Sequence, residues 1–238
     1  MSTHFLRTAL LPGLLLGLLP SCDLGIDGNG NRSVEDRPER DFTGVEARGS
    51  LDVKVQRGDM FAVVVSIDSN LQPIVVTRVD GGTLIVDSTE PIGDTVRGPQ
   101  VIVTMPVLRA AVLSGSGALS AGTFPQDQPV DLILEGSGNL VFSGDVPALT
   151  ARLIGSGDMS LHGTTGALGL TLEGSGNLDA KDMSATTGDL SLDGSGDLAA
   201  TVTGTMRIAL SGSGDIDLFG GASVEASAID GSGNIRVH

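Results

Sequence analysis

The chain has 238 residues, enough for one large domain or two small ones, and 40% of it is apolar. With no Trp, no Tyr, six Phe and 35 Gly, its core must be small aliphatics on short strands joined by tight turns, not packed helices. A formal charge of −15 excludes a nucleic-acid-binding surface and adsorption to anionic lipid head groups by charge.

The first segment reads as a leader. Arg7 precedes an apolar run from Ala9 to Leu19 that is too short for a comfortable membrane span and is broken by Pro12 and Gly13. It ends in Leu19-Pro20-Ser21-Cys22, which resembles a bacterial lipobox, where a small residue precedes the Cys that is lipidated. Cys22 is the sole Cys, so it has no intramolecular disulfide partner, and it stands where lipidation needs it. The expectation is a lipoprotein signal peptide over 1–21 and membrane attachment through lipid on Cys22, at the periplasmic face or the cell surface of a bacterial envelope. The segment 22–40 is charged, rich in Gly and Asn and poor in large apolar residues, so it is expected to be a flexible tether.

Residues 41–112 alternate apolar and polar positions between turn signals. Leu51, Val53 and Val55 mark one strand, Arg57-Gly58-Asp59 a turn, and Phe61 to Ile67 a returning strand. Ile74 to Val79, Asp80-Gly81-Gly82 and Leu84 to Val86 spell a second hairpin, and Val101 to Met105 a further strand.

From Leu113 to the C-terminus, residues 113–238, the chain repeats. Gly-Ser-Gly begins at Gly115, Gly136, Gly155, Gly174, Gly194, Gly212 and Gly231, a spacing of about 19 residues that signals a solenoid. Two positions before each motif stand Leu113, Leu134, Leu153, Leu172, Leu192, Leu210 and Ile229; four positions after its first Gly stand Leu119, Leu140, Met159, Leu178, Leu198, Ile216 and Ile235. A flexible linker would not keep both flanks apolar in every copy. Coils of this size bury their apolar face only by stacking, about 4.8 Å per coil, with equivalent residues in interior ladders. The last strand is predicted over Asn234–His238 with one backbone edge unpaired, so that either weak end-to-end self-association or cover by the N-terminal hairpins is expected, the former preferred because the hairpins precede the first coil.

Three features together resemble the bacterial head GIN domain family, also described as auto-transporter adhesin heads. They are Asp41-Phe42-Thr43-Gly44-Val45 through Gly49-Ser50-Leu51-Asp52-Val53-Lys54-Val55, then Gly81-Gly82-Thr83-Leu84-Ile85-Val86, then the repeated Gly-Ser-Gly-Asn/Asp. The resemblance covers about Asp41 to His238 and implies an all-β domain over 41–238: a right-handed parallel β-helix with an antiparallel β-hairpin N-terminal part. It implies cell-envelope binding and supplies no catalytic residues.

The residue after each motif is Ala118, Asn139, Asp158, Asn177, Asp197, Asp215 or Asn234, so a polar stripe should climb one corner. Stacked carboxylate and amide oxygens suit Ca²⁺. Asn and Asp also tolerate turn conformations and cap the local backbone, and this turn-forming reading is preferred, with no cofactor expected. The seven motif serines lack the adjacent base a nucleophile needs, since the chain holds only His4, His162 and His238. The leading functional expectation is a non-catalytic envelope lipoprotein whose solenoid surface binds a protein or glycan. The alternative is a carbohydrate-active enzyme on the same scaffold, for which a pair of carboxylates across a groove would speak.

Overall fold

The computed structural model describes residues 25–238. Gly-Ser-Gly motifs and the strands around them form a parallel solenoid: β8 (Ala110–Gly115), β9 (Ala118–Gly122), β10 (Val130–Gly136), β11 (Asn139–Gly155), β12 (Asp158–Gly174), β13 (Asn177–Gly194), β14 (Asp197–Gly212), β15 (Asp215–Phe219), β16 (Ser223–Gly231) and β17 (Ile235–Val237). β11 to β14 are long because each leaves one corner, bends, and runs on to the next. The register confirms both ladders. Leu113, Leu134, Leu153, Leu172, Leu192, Leu210 and Ile229 stack in one file. Leu119, Leu140, Met159, Leu178, Leu198, Ile216 and Ile235 stack in the other. All are buried except the terminal pair, Ile229 and Ile235. Each fully buried aliphatic contributes roughly 1.5–3 kcal/mol, so the ladders carry the fold where no single coil could stand alone.

The N-terminal strands are β1 (Arg32–Arg37), β2 (Gly44–Gly49), β3 (Asp52–Arg57), β4 (Ala62–Asp68), β5 (Val75–Asp80), β6 (Thr83–Ser88) and β7 (Gln100–Met105). The expected hairpin at Asp80-Gly81-Gly82 is present, with β5 antiparallel to β6, and both Gly81 and Gly82 have positive φ. The other expected return is different. β3 and β4 are not partners, because β7 lies between them, parallel to β3 and antiparallel to β4. Nor do these strands simply precede the first coil. β2 and β3 form a coil of the solenoid themselves, held between β6 and β7 on one side and β8 and β9 on the other.

The segment expected as a tether carries structure. β1 pairs antiparallel with β4 along its whole length, and Ile26 bridges Ile92. Its charged side chains hid this, because its attachment is polar. Arg32 donates from Nε to Ser66 Oγ at 2.9 Å and from a terminal nitrogen to the Ser66 carbonyl at 3.0 Å. Beneath β1, the buried Gln72 donates to the carbonyls of Ser33 and Val65 and accepts from Arg37 at 3.0 Å. Gln72 opens a short 3₁₀ turn, Gln72–Ile74, which links β4 to β5 across this end. Antiparallel strands thus close one end of the stack, whereas at the other end β16 and β17 each have, among the described residues, a partner on one side only. Among the described residues no helix is long and apolar enough to cross a membrane.

Candidate functional site

The corner of each coil is set by backbone geometry. The first Gly of every motif has φ between +110° and +142°, where L side chains are strained. From Gly115 to Gly212 its carbonyl oxygen, like that of Gly49, accepts two hydrogen bonds from the next coil, from the Ser amide at 2.8–3.1 Å and the second Gly amide at 3.0–3.2 Å. A Cβ on either Gly would be driven into a carbonyl oxygen of the coil below. The earliest corner, Gly49-Ser50-Leu51-Asp52, has Leu51 where the others have a second Gly, because the β6–β7 layer beneath replaces the corner with the loop between Ser88 and Gln100. The motif serines are all exposed, Ser116 and Ser232 included.

The tight corner brings the predicted polar stripe together. Ala118, Asn139, Asp158, Asn177, Asp197 and Asp215 occupy consecutive register positions, and Asn234 follows above Asp215. The side chains bond along the stack: Asn177 Nδ2 donates to Asp158 Oδ1 at 2.8 Å, and Asn234 Nδ2 to Asp215 Oδ1 at 3.0 Å. Amide donors therefore offset the repulsion of carboxylates placed about one strand spacing apart. Asp215 also meets Arg236 at 2.6 Å. The hydrogen bond from the Asn234 side chain, then that from Arg236, holds its carboxyl below the usual carboxylate range. Sequence reasoning missed one member. Asp52 sits at the foot of the file and accepts from the Ala118 amide at 3.1 Å, and its signal was the Gly-Ser-x-Asp spelling of residues 49–52. Among the described residues no group of three or more His, Cys, Asp or Glu is placed to hold a metal ion.

A second surface was not expected. Where the chain bends into the face that leads to each corner, a shallow groove crosses five coils, from Ala148 to Glu225, lined by Leu168, Gly169 and Gly188 and by the charged Asp189, Arg207 and Glu225. Gly169, in the outward file between Thr150 and Asp189, opens it by withholding a side chain, whereas Gly188 lies in the inward file with Leu168 and Met206, where a side chain would meet the buried Val202. Two carboxylates thus border a groove, but Arg207 stands at 3.9 Å from Glu225, which ties up one of them. His162 lies at another corner, where β13 bulges by one residue relative to β12 around Lys181 and Asp182; its ring is 3.6 Å from Asp182. Ser143 is its register neighbour on the coil below. Cys22 lies outside the described residues.

Solved structures share this architecture. A "putative adhesin" from Bacteroides fragilis superposes with a TM-score of 0.80 at 20% identity, covering 90% of this chain and 100% of its own. A "putative lipid binding protein" from Parabacteroides distasonis gives 0.71 at 24% identity, covering 90% and 99%. A "putative adhesin" from Parabacteroides merdae gives 0.67 at 19% identity, covering 90% and 98%. At these identities the likeness is one of fold. No curated protein matches the chain in sequence. A family model does match, over residues 41–222, so the stacked corners, their polar file and the interposed N-terminal coil are those of a member of the family described as "putative auto-transporter adhesin, head GIN domain".

Proposed function

We propose that this protein is a non-catalytic adhesin of the cell envelope, held to a membrane by lipid on Cys22 and offering the solenoid as a rigid surface to a protein or glycan. The observation that carries this reading is the repeated exposed corner on a closely cross-bonded stack. Ser and Asn/Asp groups recur at one strand spacing along several coils. Such an array is preorganised, so an extended ligand meets many weak contacts without ordering a loop. The family membership supports the adhesin role, and Leu19-Pro20-Ser21-Cys22 supports the anchor.

The test has two arms. Mass spectrometry of the N-terminus from the native envelope should find a diacyl- or triacylglyceryl-modified Cys22; a free thiol there sinks the anchor. Capture from the native envelope with the lipidated protein, against a Cys22→Ser control, should recover a protein or glycan whose binding drops when Asn177 and Asp197 are both changed to Ala. Retention that ignores the corner file refutes it as the binding surface.

A further inference from the structure

Residues 25–31 are stitched to the domain. Ile26 donates to the Pro91 carbonyl at 2.9 Å and accepts from the Gly93 amide at 2.9 Å, and Gly28 donates to the Asp94 carbonyl at 2.8 Å. Asp27 Oδ1 accepts from the Asp94 amide at 2.9 Å. Gly30 donates to the buried carboxylate of Asp68 at 3.0 Å. Neither Gly25, against Pro91 and Gly93, nor Gly28, against Asp68, has room for a side chain. This clasp holds the loop 89–99 between β6 and β7, and β1 carries it on into the sheet.

Only Asp23 and Leu24 separate Cys22 from Gly25. Three trans peptide steps span at most about 11 Å, whatever path they take. Lipid on Cys22 puts that residue in the headgroup layer, and a domain joined so closely cannot stand off from it. The surface nearest the link suits an interface. Val96, beside Gly30, is 79% exposed and Ile26 is 39% exposed. Asp27, Glu90 and Asp94 stand there against Arg97, so charge does not draw this end to anionic lipid, and a zwitterionic bilayer is the surface it fits. The side of the stack that carries Asp158, Asp197 and Asp215 gains nothing by lying in a headgroup layer. We propose that the domain is seated by its N-terminal end on a zwitterionic lipid surface, with the clasp and the loop 89–99 against the headgroups, held there by the two-residue link.

The seat rests on the lipid-anchor reading and adds an orientation to it. Asp52, at the foot of the polar file, donates its amide to the Pro99 carbonyl of the seated loop at 3.2 Å. From Asp52 to Asn234 the file then climbs coil by coil, about 34 Å at one strand spacing per step. The corners are thereby ranked by height above the bilayer, and the domain does not swing on a long tether.

The test uses the full chain produced with its lipid and reconstituted in phosphatidylcholine vesicles that contain a headgroup-linked quencher. Lipid consumes the thiol of Cys22, the sole Cys, so an introduced Cys is the one site a thiol dye labels. Val96→Cys, Ser175→Cys and Ser232→Cys are each at exposed positions. The dye at Val96 should lose most of its emission, that at Ser175 far less, and that at Ser232 almost none. A flexible Gly/Ser spacer of about twelve residues between Leu24 and Gly25 adds a reach of about 20 Å and should restore the Val96 emission. Equal quenching at the three positions in vesicle-bound, Cys22-acylated protein overturns the seat and leaves the anchor standing. So does a Val96 signal that the spacer does not change. An unmodified Cys22 on protein that stays off the vesicles defeats the anchor reading itself, and the seat with it.

Discussion

The amide of Ser195 donates to the carbonyl oxygen of Gly174, on the coil beneath, at 2.8 Å, and Gly196 adds a second hydrogen bond to the same oxygen at 3.2 Å. A shared acceptor of this kind requires two residues without side chains in three. Gly194→Ala and Gly196→Ala are each expected to cost about 1–3 kcal/mol or more, from positive φ or from overlap with the carbonyl below. Ser195→Ala, exposed between them, should stay within about 0.5 kcal/mol. Chemical denaturation of the three variants decides. A costly Ser195→Ala would mean that the hydroxyl, not the corner backbone, holds the turn.

Inside and outside alternate along β13, where Leu192 is buried and its neighbour Ser191 points outward. Leu192→Asp places an unpaired carboxylate between Leu172 and Leu210 and should cost more than about 4 kcal/mol. Ser191→Asp should cost less than about 1 kcal/mol. Thermal melts that fall equally for both would contradict the register.

Gln72 is a polar keystone under β1. Replacing it with Leu keeps the volume but strips the carbonyl of Val65 of its 3.1 Å donor and Arg37 of an acceptor. About 1–3 kcal/mol should be lost. Amide exchange should quicken in β1 and β4 before it does in β12 and β13, and uniform quickening would show that the closed end is not a separate unit.

The Asp215 carboxyl, lowered by Asn234 and Arg236, links pH to the outermost coil. A depressed folded-state value means stability that is present above the ordinary carboxylate range. That stability is lost as pH falls through the lowered value. Asn234→Ala removes the largest cause, so the Asp215 carboxyl resonance should titrate at higher pH in the variant than in the wild type. Coincident titrations would show that the Asn234 amide does not bind the carboxylate.

The repeat was legible because each Gly-Ser-Gly has a geometric reason to be invariant and each flanking aliphatic a burial reason; hence the ladders and the polar file followed from spacing alone. What escaped had no such signature. β1 contributes backbone pairing and charged side chains, so composition labels it a tether. The coil made by β2 and β3 is out of chain order, and alternation says which face a strand buries without saying which strand lies beside it. The groove depends on the missing side chain of Gly169, and a missing side chain gives no periodic apolar signal.

That out-of-order coil governs how the chain can assemble. From β8 onward each coil lies on the one made just before it, so structure can be laid down a coil at a time, each new layer templated by the last. β2 and β3 cannot be finished that way. One side of that coil waits for β6 and β7, with a hairpin and a long loop to be closed first, and the entropy lost in that closure is recovered only when both sides are in place. On this topology the N-terminal block is expected to form more slowly than the repeats, which extend on it coil by coil. Coils can be gained or lost by duplication near the C-terminus without disturbing that block, which gives the fold an adjustable length from one fixed starting point.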